Sequence, residues 1–106
     1  MSYVVINAIT VPGERSEELE RRFSQRAGEV GRQEGFERFE LLRPDNDAAA
    51  GRYLVYTRWA SKEAFEAWMS SSAFGRGHRS ESSEGPVGTG SEVWAYEVAQ
   101  DEDAAL

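Results

Sequence analysis

The chain contains no cysteine and a single histidine, His78. Without thiols there can be no disulfide, thiolate metal site, iron–sulfur cluster or cysteine nucleophile. One imidazole cannot complete a structural zinc site without several carboxylates. Basic residues are also scarce. Twelve Lys and Arg stand against 19 Asp and Glu, for a net charge of −7. An acidic surface repels phosphate backbones and anionic lipid, so neither nucleic acid nor membrane is an expected partner. No run approaches the roughly 20 apolar residues of a membrane helix. The first ten residues show no basic stretch followed by an apolar one, so no signal peptide is expected and a cytoplasmic location is. No G-x-G-x-x-G occurs, which leaves flavin and nicotinamide without a recognisable site.

What is present fits one domain. The 106 residues allow a single, thin core that association with a second copy would help. Residues 1–100 read as that domain, and the acidic run 101–106 reads as a disordered tail. Tyr3 to Val11 is rich in β-branched residues and apolar on both faces, as a central strand is, with Asn7 interrupting the pattern. Pro12-Gly13 breaks it. From Glu14 to about Arg32 the spacing of Leu19, Phe23, Ala27 and Val30 predicts a helix, with Glu17, Glu18, Arg21 and Arg22 on its other faces. Phe36 to Leu42 and Arg52 to Trp59 read as strands joined by a hairpin loop over 45–51. Ser61 caps a second helix through about Met69. A polar Gly/Ser-rich loop covers 75–85, and a last strand runs from about Thr89 to Val98.

Strand, helix, strand, strand, helix, strand is the α+β ferredoxin-like order, βαββαβ, with a four-stranded antiparallel sheet and both helices on one face. One helix layer leaves apolar residues uncovered, namely Val4 and Ile6, Leu54 and Tyr56, Trp94 and Tyr96. A symmetric homodimer pairing two sheets into an α+β barrel would bury them.

The stretch Glu63 to Arg79, E-A-F-E-A-W-M-S-S-S-A-F-G-R-G-H-R, sets Trp68 on a helix ten residues before His78, which Arg76, Gly77 and Arg79 bracket. A large aromatic on a rigid element, followed by a basic loop with one imidazole, suits a flat, apolar, anionic ligand with a metal at its centre. Together with V-V-I-N-A-I-T-V-P, L-E-R-R-F-S-Q-R-A and F-E-L-L-R-P, this stretch resembles the IsdG-type haem-degrading monooxygenases. These belong to the antibiotic biosynthesis monooxygenase superfamily of dimeric ferredoxin-like proteins, and the actinobacterial branch is the nearest in pattern. The resemblance spans residues 3–98.

The resemblance implies an enzyme that takes haem as both substrate and cofactor, opens its ring with O2 and an external electron donor, and releases iron. His78 would be the axial ligand of the iron, against the plainer reading of a solvated surface histidine. Trp68 would press on the porphyrin face and bend it, or would be a core aromatic beside Phe65. Asn7 would offer its amide N–H to the activated oxygen, or would be satisfied by neighbouring backbone. Phe23 would line the pocket, and Arg26, Arg76 and Arg79 would meet the propionates or remain surface charges. The glutamates of the first helix read as a plain solvent face. Two alternatives stay open. One is a cofactor-free monooxygenase of polyphenolic or quinol-like substrates, with Tyr56 or Tyr96 binding the phenol. The other is a non-catalytic dimeric haem-binding module.

Overall fold

The computed structural model of the chain describes residues 2–25, 32–70 and 90–104. Strand β1 (Tyr3–Thr10), helix α1 (Ser16–Gln25), strands β2 (Phe36–Leu42) and β3 (Arg52–Trp59), helix α2 (Lys62–Met69) and strand β4 (Gly90–Glu97) follow in the expected order. The four strands form one sheet in the order β2-β3-β1-β4, antiparallel at every step. β1, apolar on both faces, lies at the centre, and the ferredoxin-like arrangement is borne out.

Register assigns the two faces. Asn7 lies opposite Val55 on one side and Val93 on the other, and directly opposed residues share a face. The odd-numbered residues of β1 and β3 meet the helices. Ile9, Val11 and Tyr53 are buried with Leu19 of α1, while Phe23, Leu41 and Val55 pack against them. Val4, Ile6, Ala8, Leu54, Tyr56, Trp94 and Tyr96 occupy the opposite face. None of the described helices packs there. Val4 and Ala8 are buried by their neighbours, but Tyr96 is 54% exposed.

The first helix departs from its expected form at its start. It is entered through a 3-10 turn, Gly13–Arg15, in which the Arg15 amide donates to the Pro12 carbonyl at 2.9 Å. At the other end, Ala27, Val30 and Gly31 lie outside the described residues. Arg22, which periodicity sets on a solvent face, is buried and reaches Glu18 at 2.9 Å. A long arginine stem covers apolar surface while its Nη2 pairs with the Glu18 carboxylate.

Glu20 corrects the reading of an idle acidic face. Its carboxylate accepts from Arg43 Nε and Nη2 at 2.8 and 2.6 Å, and from the hydroxyl of buried Tyr53. One side chain thus ties α1 to the start of the hairpin and to the start of β3. Arg43 first, then Tyr53, holds the Glu20 carboxyl at about 2, well below its ordinary 4.5. A depressed carboxyl contributes stability that is complete above its unfolded pKa and is lost as pH falls through the folded one. Thermal melts of the wild type should therefore drop between about pH 5 and about pH 2 more steeply than those of Glu20→Gln. Parallel curves would show that the clasp carries none of the acid sensitivity.

The second helix begins where Ser61 sets it. The Ser61 hydroxyl oxygen accepts from the Ala64 amide at 3.2 Å, and Glu63 occupies the first turn. Ser61→Ala should cost about 1 kcal/mol. The check is a lowered denaturant midpoint at unchanged slope.

Candidate functional site

Three of the proposed site residues are described, and all three belong to the layer between sheet and helices. Asn7 stands in the middle of β1 on the helix-facing side, with Val55 and Val93 beside it. Its side-chain oxygen is buried and accepts no hydrogen bond among the described residues. Backbone satisfaction, the plainer reading of this position, is therefore not what the Asn7 oxygen has. A buried amide oxygen without a donor costs about 1–3 kcal/mol, and such a group calls for an explanation.

On one flank of this wall is α1, whose Phe23 packs on the Ile9–Tyr53 core and meets Phe39 at 6.1 Å between ring centroids. On the other is α2, where Trp68 stacks on Trp59 at 6.4 Å and 29°. Trp68 is half-buried and Trp59 is 0% exposed. Next to Asn7, Val93 is 67% exposed, and Ser91 and Ala95 on the same side of β4 are exposed as well. The result is a broad, mainly apolar wall bearing one polar group at its centre and an aromatic ring on each flank. Its chemistry suits a flat, apolar ligand that brings its own hydrogen-bonding or oxygen-bearing centre.

Arg26, Arg76, His78 and Arg79 lie outside the described residues. Tyr56 and Tyr96 sit opposite Ile6 and Val4 respectively, so they face away from Asn7 and Trp68 and do not share their wall. Sequence reasoning missed Trp59. It ends a strand and reads as an ordinary core aromatic, and only the register shows Phe36, Phe65 and Trp68 converging on it.

A four-stranded antiparallel sheet in the order β2-β3-β1-β4, with its described helices on one face, defines a ferredoxin-like scaffold. The model of the antibiotic biosynthesis monooxygenase family matches residues 2–80, and the chain belongs to that family. It is 44% identical over 103 residues to a mycobilin-producing haem oxygenase of Mycobacterium tuberculosis, covering 95% of this chain and 92% of the relative. It is 32% identical over 80 residues to a staphylobilin-producing haem oxygenase of Staphylococcus saprophyticus, covering 76% of each. The haem degrader MhuD of M. tuberculosis, solved with two haems in its active site, superimposes with a TM-score of 0.77 at 40% identity, over 95% of this chain and 99% of that one. These relatives bear out the resemblance to the IsdG-type branch.

Proposed function

We propose that this protein is a haem-degrading monooxygenase that takes haem as its substrate and opens the ring with O2 and electrons from an external donor. The observation that carries the reading is Asn7, whose buried amide oxygen lacks a donor among the described residues in a mainly apolar wall. The relatives named above support the choice of haem. Its iron supplies the oxygen-activating redox chemistry, so the protein has to bind, orient and shield.

Each residue then has a limited task. Phe23 and the valines at 55 and 93 offer apolar surface to the ring. Trp68, backed by Trp59, bears on the porphyrin plane and bends it, one of the means by which a protein tunes such a cofactor. Asn7 presents its amide at the point where oxygen is activated and orients the attack by hydrogen bonding. His78, in its neutral form, is the proposed axial ligand. Arg26, Arg76 and Arg79 are proposed partners of the propionates. Pairing of two copies through the open sheet face, a cytoplasmic setting and an external reductant belong to the same proposal. The apolar residues left on that face support the pairing.

A haemin titration followed by absorption, run beside His78→Ala, tests the reading. A saturable Soret shift that the variant loses, with bleaching on adding ascorbate in air, is the expected result. No binding by the wild type, or binding indifferent to His78, would overturn it. Trp59 and Trp68 together with Tyr56 and Tyr96 on opposite faces make the phenolic alternative the weaker one.

A further inference from the structure

We infer that Trp59 is a positioning residue for the ring-opening reaction: it sets the plane of Trp68, and Gly35 lets helix α2 sit low enough for the two indoles to stack. The inference rests on the functional reading above, because it assigns Trp68 to the substrate.

Trp59 is clamped from two sides. The ring of Phe36 meets it edge-on at 5.3 Å and 80°, and that of Phe65 at 5.7 Å and 66°. Phe65 is in turn braced by Tyr3 at 6.1 Å. Edge-to-face contacts at these separations are favourable and directional, so the indole of Trp59 has one orientation. Trp68 lies nearly parallel to it at 6.4 Å and 29° and takes that orientation over. Trp59 is also fully buried with its Nε1–H unpaired among the described residues. A phenylalanine would fill much of the volume with no polar atom to strand, so packing alone gives no reason for an indole. A wide flat platform for a second indole does.

The height of α2 is set separately. Gly35 adopts φ +81°, and a Cβ there would fall 2.5 Å from the Cβ of Ala64. The Ala60 amide donates to the Gly35 carbonyl at 2.7 Å, fastening the start of α2 to the same residue. Ala64 and Trp68 are one turn apart and lie on the same side of the helix. Lifting Ala64 lifts Trp68 off its platform.

Circular dichroism of the ligand-free protein tests the stack without any haem. Two stacked indoles couple, so the wild type should show an exciton couplet that Trp59→Phe and Trp68→Phe both abolish. Trp94→Phe should keep it, since Trp94 is on the other face. With haem bound, Trp59→Phe should lower the ascorbate-driven bleaching rate about tenfold while haem affinity changes less than about threefold. If Trp59→Phe fails to fold, Phe65→Leu provides the second arm, and a reduced couplet with slower bleaching is expected. No couplet in the wild type, or bleaching by a folded Trp59 variant at the wild-type rate, overturns the inference. A wild type that stacks its indoles but gives no Soret shift overturns the functional reading instead.

Discussion

Asn7→Ala should slow haem ring opening by about a hundredfold or more and leave the melting temperature little changed. The first half follows from what a preorganised donor does. An amide held in a mainly apolar wall, once the ligand covers that wall and excludes water, acts far more strongly on developing charge than it would in water. Removing one such donor typically costs about 10²–10³ in turnover. The second half follows from the oxygen of the same amide, which is buried and accepts no hydrogen bond among the described residues. Truncating an ordinary buried side chain to alanine costs about 2–5 kcal/mol. Here the substitution also removes an unsatisfied group that costs about 1–3 kcal/mol, so the two effects largely cancel. Activity would fall while stability holds, the pattern of a residue retained for function at the expense of the fold. Single-turnover bleaching of bound haem and a thermal melt on the same preparation measure both halves. A variant that melts several degrees lower while bleaching normally would make Asn7 a structural residue.

Gly35→Ala is expected to be the most destabilising single-methyl change in the described part of the chain. Its backbone is in the left-handed region, where a side chain costs about 1–2 kcal/mol. The added methyl would meet Ala64 at 2.5 Å, and overpacking of that kind costs about 1–3 kcal/mol. Together these give about 3 kcal/mol, or a melting temperature lower by about 10–20 °C for a domain of this size. The two causes separate in a double-mutant cycle with Ala64→Gly. The second change relieves the collision but not the backbone strain, so the pair should be non-additive by more than about 0.5 kcal/mol. Additive effects would mean that α2 adjusts freely, and Gly35 would then matter for its backbone alone.

The sheet face that none of the described helices covers has a direct bearing on both measurements. Val4, Ile6, Leu54, Tyr56 and Trp94 share one side of the sheet, and Tyr96 beside them stands 54% exposed. Melts should be run at several protein concentrations, because a second copy burying this surface would make the midpoint concentration-dependent.

Much of this protein could be read from its sequence, for a local reason. Strand and helix periods are short-range, and the β-branched run at Tyr3–Thr10, the aromatic one at Arg52–Trp59 and the Ser61 cap each announce themselves within a few residues. The order of those elements then admits few topologies. Asn7, Phe23 and Trp68 were legible as candidates because each breaks or marks a pattern on its own element. Which groups meet was not legible. Arg22 looked solvated until the tilt of α1 on the sheet buried it, and Glu20 looked idle until β3 brought Tyr53 beneath it and the hairpin brought Arg43. The register of β1 with β3 and β4 separates Asn7 from Tyr56 and Tyr96, a fact no single strand contains. The stack of Trp68 on Trp59, and the missing methyl at Gly35 that permits it, depend on how closely a helix approaches a sheet. The sequence by itself determined the elements, their order and the chemical types available. Only the tertiary structure decided the partners, because those contacts join residues distant in the chain and are set by packing rather than by period.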